Sequence, residues 1–386
     1  MLDETLLDDP EGLARADTRG RLLGVAAAGA RVRTAARLAQ EAGIGELKPD
    51  GRPRSVLVAG PGAATAATVA ELLAALGSGS APVLPLRPTG PAPYDLRWTL
   101  PGWAGPLDLL LIATPMGTEA GLADLIEQAY RRGCTAAAVV PAGSPIAEAI
   151  AQVRGMVLPY AAAPGADAPD APDAADPDED LGAFWALLTP LLALGDRIGL
   201  LPAPADAIER VADRLDEVAA RCGPAIATYS NPAKALASEL AESLPVLWSE
   251  GPLAAAAARR FAATIASRAG RPALHGELPE AVDTHGALLA GALAGALDPD
   301  DFFRDRVEEP EDLRLRVVLL HRPGNGTQAP ATSSAAVARE FTTTHDTPLS
   351  ELAAGADGTP LESVVELLAV TDFASVYLAV TSAGRS

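Results

Sequence analysis

The stretch SVLVAGPGAATAATVAELLAALG, residues 55–77, decides the fold. Its first six residues are a short β-rich run that ends in Gly60. The rest carries helical spacing. Working outward, APVLPL reads as a second strand, and LDLLLIAT (107–114) as a third. A helix from about Gly117 to Arg132 follows, then the strand CTAAAVVP, the short helix SPIAEAIA and the strand MVLPY. Strands that alternate with helices predict a parallel sheet covered on both faces. The first α/β domain is therefore expected over 50–160.

On the N-terminal side, residues 1–49 show helical spacing. Leu6, Leu7, Leu13, Leu22, Leu23, Val25 and Leu38 fit one apolar stripe, and the segment is read as a helical arm. On the C-terminal side, AAAPGADAPDAPDAADPDED (161–180) holds seven acids, four prolines and no aromatic residue. Such a segment cannot bury enough surface to fold, so 161–182 is read as an acidic linker. Two helices follow, LGAFWALLTPLLALG and PADAIERVADRLDEVAARCG. LPVLWSEGP then repeats the strand–Gly arrangement, and LAAAAARRFAATIASRAG is its helix. The strand RLRVVLLHRP and the closing helix SVVELLAVTDFASVYLAV complete a second α/β domain, expected over 183–386.

The 386 residues are 49% apolar and 21% charged, ordinary globular values. Thirty Lys+Arg against fifty Asp+Glu give a net charge of −20 and a pI near 4.6. That surface repels nucleic acid and anionic lipid, so neither is an expected partner. It also means that a phosphorylated ligand needs a local positive pocket. No uninterrupted apolar run reaches the roughly 20 residues of a membrane span. The N-terminus MLDETLLDDPEG is acidic where a secretory signal is basic, which predicts a cytoplasmic protein. Cys134 and Cys222 sit in unrelated contexts, so neither a zinc site nor a disulfide framework is expected.

The candidate chemistry lies at strand ends. Gly60 and Gly62 permit close approach of a ligand to backbone, and the helix N-terminus beside Thr65 suits a phosphate. The alternative is a turn that only feeds the helix. A dinucleotide fingerprint would need Gly where Thr65 stands, and no P-loop is present, so no cofactor is expected. In ATPMGTEAG (113–121), Thr114, Gly117 and Thr118 follow the third strand, where ligands of open α/β sheets bind. Thr118 either offers its hydroxyl there or caps the helix. His275, His285, His321 and His345 show no ligand spacing, and no metal is expected. His285 is either a general base or a solvent-exposed or merely structural histidine.

These residues resemble a known family. LPGWAGPLDLLLIATPMGTEAGLADLIEQAYRRGC, with VLVAGPGAAT before it, is similar to the first sugar-isomerase (SIS) domain of the bifunctional phosphoglucose/phosphomannose isomerases. LPVLWSEGPLAAAAARRFAATIASRAGRPALHGELPEA resembles the second, and TDFASVYLAV the C-terminal helix. The resemblance spans about 50–380. It implies two SIS domains, a homodimer and a phosphosugar site for glucose 6-phosphate or mannose 6-phosphate. It also implies aldose–ketose isomerisation through an enediol, with a carboxylate base, a ring-opening histidine, a cation and phosphate-holding hydroxyls.

Most of those groups are replaced here. The first-loop serine of the family falls on Ala64, and its S-Y-S-G-N-T phosphate loop falls on Ala113, Thr114, Pro115, Met116, Gly117 and Thr118. Its arginine falls on Asp178, its base glutamate on Ser267 and its histidine on Asp283. Its C-terminal lysine lies past the closing helix, beyond Ser386. Losing one general base costs about 10²–10⁴ in rate, so the leading expectation is a catalytically deficient protein that binds a carbohydrate derivative or regulates or scaffolds a partner. The alternative is an active isomerase with relocated residues, for which Glu277, Glu280 and His285 are the candidates. A third reading is a sensor that holds a phosphosugar through Thr65, Thr114 and Thr118.

Overall fold

The computed structural model describes residues 4–49, 51–92, 94–162, 181–290, 314–323 and 333–382. The acidic stretch read as a linker lies outside them from residue 163 onward, as does Asp178. Helices α1 (Glu4–Leu7) and α2 (Pro10–Ala16) open the chain, followed by α3 (Arg21–Ala26) and α4 (Ala28–Glu41). The chain forms two units, one of Arg19–Ala219 and one of Met1–Thr18 with Ala220–Ser386.

In the Arg19–Ala219 unit, β1 (Ser55–Ala59), α5 (Ala63–Leu76), β2 (Val83–Pro85), β3 (Asp108–Ala113), α6 (Ala120–Arg131), β4 (Thr135–Val140), α7 (Pro145–Gln152) and β5 (Met156–Pro159) succeed one another. Their strands form an all-parallel sheet in the order β2-β1-β3-β4-β5. β1 and β3 are buried along their whole length, as expected of strands covered on both faces. One core packs Leu57, Leu110 and Ile112 against Leu122, Ile126, Ile146 and Ile150 of α6 and α7. Helices α8 (Leu181–Arg197) and α9 (Ala205–Cys222) come next.

The divisions expected from sequence shift here. α8 was expected with the second domain but packs along α4, and its first fifteen residues are buried. Arg33 of α4 fastens α9 by ion pairs to Glu209, Asp213 and Asp216 at 3.1, 2.7 and 2.7 Å. The N-terminal arm is divided, with α1 and α2 in the other unit. Leu7, Leu13, Leu22 and Val25 of the predicted stripe are buried, whereas Leu23 is 73% exposed.

The other unit adds α10 (Pro232–Leu240), β6 (Ser243–Ser249), α11 (Pro252–Ala269), β7 (Leu274–Glu277), α12 (Glu280–Ala290), β8 (Arg314–His321), α13 (Ser334–Thr344), β9 (Leu349–Ala353) and α14 (Pro360–Ser382). Its sheet is also all parallel, in the order β7-β6-β8-β9. The repeat of strand, glycine turn and helix is thus a repeat of topology, since β6, β7, β8 and β9 stand in the order of β1 to β4. Helix α14 is long and apolar enough by composition to cross a membrane, but it is buried throughout and packs on α11 and α10. Its buried Glu366 and Asp372 are paired with Arg221 and Arg260. α14 is the core helix of this unit.

Candidate functional site

In the Arg19–Ala219 unit, the sheet changes its winding direction between β1 and β3. The crevice outside the carboxyl ends of these strands is where open α/β sheets hold ligands. Gly60 stands at this point. A Cβ on it would lie 2.2 Å from the Ala113 carbonyl oxygen, so close strand approach demands glycine there. Gly62 precedes α5 with a φ of 68°. Thr65 is half-buried in the first turn of α5, and its N–H donates to the Gly62 carbonyl at 2.8 Å.

On the β3 side, Thr114 is fully buried. Its hydroxyl donates to Glu119 Oε1 and accepts the N–H groups of Met116 and Gly117, each at 3.2 Å. A hydroxyl has one proton to give and two lone pairs to receive. Thr114 therefore has all three engaged inside the loop. Gly117 has a φ of 68°, and a Cβ there would come within 2.4 Å of Ser144 Oγ. Thr118 is exposed. It does not cap α6: the cap residue is Glu119, whose carboxylate turns to Thr114 and not to the helix N–H groups.

A cavity of about 480 Å³ opens beside this loop, a size that suits a small ligand. Pro61, Met116, Thr118 and Glu119 line one side, and Asp95, Leu96 and Arg97 another. The 95–97 segment can lie against α6 because Gly121 has no side chain: a Cβ would sit 2.1 Å from the Leu96 carbonyl oxygen. Three acids, Asp95, Glu119 and Asp124, face one cation, Arg97, whose Nε is 3.3 Å from Asp95 Oδ1. Of the six residues expected to hold a phosphosugar, only Thr118 lines this cavity.

The candidates for acid–base work lie in the other unit. Glu277 ends β7 and Glu280 begins α12, and both are exposed. His285 is buried on α12, and its Nδ1 accepts the indole N–H of Trp248 at 3.0 Å. Trp248 belongs to β6 and is wholly buried. His285 is thus neutral at Nδ1 and built into the core. Ser267, at the position of the family glutamate, is exposed and donates to the Thr264 carbonyl of its own helix. Asp283, at the position of the family histidine, is exposed on α12.

Burial, and secondarily the charge of His275, hold the His285 imidazole below its ordinary value. The folded chain then binds a proton there less readily than the unfolded chain. Its contribution to stability is complete above the ordinary imidazole value of about 6.5 and is lost as pH falls below it. The urea midpoint of the native protein is expected to drop from pH 8 to pH 5 by more than that of His285→Gln. Equal drops would show that His285 carries no such linkage.

Sequence reasoning passed over Glu119, Asp95, Arg97 and Asp124. An acid at the start of a helix is an ordinary complement to the helix dipole, so Glu119 gave no separate signal. It also passed over a cluster at the carboxyl end of β8. There His321 Nε2 lies 3.4 Å from Glu351 Oε2, and Arg339 grips both oxygens of Glu351 at 2.7 and 2.8 Å. Among the described residues, no group of three or more His, Cys, Asp or Glu is placed to hold a metal ion.

Two parallel sheets in related order, each flanked by helices, are the architecture of two SIS-type domains. Residues 229–383 match the model of the bacterial phospho-glucose isomerase C-terminal SIS domain. That segment is similar to a SIS domain of this kind, and the chain resembles the phosphoglucose isomerases as its motifs imply. A glucose-6-phosphate isomerase from Chlamydia trachomatis superposes with a TM-score of 0.64 at 12% identity, over 98% of this chain and 80% of that one. A hypothetical protein from Thermus thermophilus gives 0.59 at 15% identity, over 97% and 89%. The C-terminal domain of glucosamine-fructose-6-phosphate aminotransferase from Francisella tularensis gives 0.54 at 10% identity, over 95% and 94%. At these identities the likeness establishes the fold. The comparison with curated proteins gives no match.

Proposed function

We propose that this chain is a phosphosugar-isomerase relative without isomerase activity, acting as a carbohydrate-derivative-binding, regulatory or scaffolding protein. The observation that carries this reading is the state of His285. It is the histidine nearest the family position, and it is buried with its Nδ1 engaged by Trp248. A general base must reach the proton it removes, and a core imidazole with that partner is badly placed to do so. Where the family has its glutamate Ser267 supplies no carboxylate, and where it has its histidine Asp283 supplies no imidazole. The homodimer and the cytoplasmic location implied at the sequence level belong to the same proposal.

The test is turnover by the purified full chain. No interconversion of glucose 6-phosphate or mannose 6-phosphate with fructose 6-phosphate is expected above the buffer rate. Turnover that disappears in the triple variant Glu277→Gln, Glu280→Gln, His285→Gln would establish the active alternative instead. Light scattering on the same sample reads the dimer.

A further inference from the structure

We propose that Glu119 is the specificity-determining residue of the cavity at the β1–β3 crevice and that it keeps phosphate esters out. The inference rests on the reading of the chain as an isomerase relative without turnover, and it names the ligand class that this site refuses. Three features converge on Glu119. First, its Oε1 takes the hydroxyl proton of Thr114, the buried side chain nearest the loop amides. Secondly, the N–H groups of Met116 and Gly117 point to that same hydroxyl, so donors that could have faced an anion are satisfied within the loop. Thirdly, Glu119 lines the cavity along with Asp95 and Asp124, and its Oε2 is buried with no hydrogen-bond partner. Glu119 thus fills the role an anion would take beside Thr114, and its charge repels a second one. Arg97, already shared with Asp95, is the single cation on the cavity wall among the described residues.

The residue works through charge and through its bond to Thr114, and two substitutions separate these. Glu119→Gln keeps an acceptor for Thr114 and removes the charge. Glu119→Ala removes both, which frees the Thr114 hydroxyl to turn. The experiment is a calorimetric titration of the full chain with inorganic phosphate and with fructose 6-phosphate, with thermal melts to confirm that each variant is folded. The native protein is expected to bind neither ligand up to about 10 mM. Removing one like charge at contact range should tighten phosphate binding by about tenfold or more in Glu119→Ala, and by less in Glu119→Gln. Two folded variants that bind phosphate no better than the native chain would overturn the role of Glu119 while leaving the reading of lost turnover intact. Phosphate binding by the native chain equal to that of the variants would overturn it as well. Isomerisation by the native chain would overturn both, since a phosphosugar would then be admitted.

Discussion

Replacing Lys234 by methionine is expected to lower the unfolding free energy by about 3–5 kcal/mol, the range for removing one partner of a buried charged network. Lys234 is one of two lysines in the chain and is completely buried. Its Nζ donates to the carbonyl oxygens of Leu7, Pro224 and Ile226 at 2.5, 2.8 and 2.8 Å, and so uses all three protons. It lies 5.6 Å from the centre of the Tyr377 ring. Methionine fills a similar volume but leaves three carbonyls without a donor, each costing about 1–3 kcal/mol if water cannot reach it. The loss should fall on α1 as well, because Leu7 is the residue that Lys234 ties down. Proteolysis near Asp9 should therefore accelerate in the variant before global unfolding does. A melting temperature within a degree or so of the native value would mean that the carbonyls find water and that the lysine is dispensable.

Asp372→Ala should be of similar size. Asp372 and Arg260 are both buried, and Arg260 Nη2 reaches Asp372 Oδ2 at 3.2 Å between α11 and α14. Burial raises the Asp372 carboxyl above its ordinary value, and the neighbouring Arg260 charge opposes that rise. The pair is therefore costly to bury and more costly to halve. Removing the carboxylate alone is expected to destabilise by about 3–5 kcal/mol, whereas Arg260→Met with Asp372→Leu should recover most of the loss. Chemical unfolding of the three proteins checks this. A double variant as unstable as the single one would show that the pair does more than neutralise itself, for example by fixing the register of the two helices.

The parts of the fold that were legible share one property. β1, β3, β4 and β6 are continuous apolar runs that end near glycine or proline, and the helices after them carry long apolar spacing. β7 and β9 were not legible. LHGE and LSELA are short, stand at the edges of their sheet and mix half-buried with exposed residues, so no apolar run marks them. α13 gives no clear helical signal because AREFTTT ends in β-branched residues, and tertiary packing of Ala335, Ala338 and Thr342 overrides that propensity. The placing of α8 failed for a different reason. The acidic stretch before it looked like a domain boundary, but an apolar helix goes where a buried face is available, and α4 offers one.

The site was legible only as backbone. The strand ends and their glycines fall where the sequence places them, because turn and close approach are local demands. The direction of a side chain is not local. Thr114 was expected to face a ligand, yet it faces Glu119 five residues on. The sequence leaves His285 as a general base or as a solvent-exposed or structural side chain, and the outcome depends on Trp248, thirty-seven residues earlier on β6. Neither partner carries a spacing signature.

If turnover is absent as proposed, this chain does not move a proton between C1 and C2 of a phosphosugar. Proton exchange tests it more directly than net conversion, because an enediol intermediate trades its C2 proton with solvent. Glucose 6-phosphate would be incubated with the full chain in heavy water and followed by nuclear magnetic resonance at C2. No deuterium at C2 beyond the buffer control is expected at any protein concentration. Deuterium that accumulates in proportion to protein, and that stops in the Glu277, Glu280 and His285 variant, would contradict it.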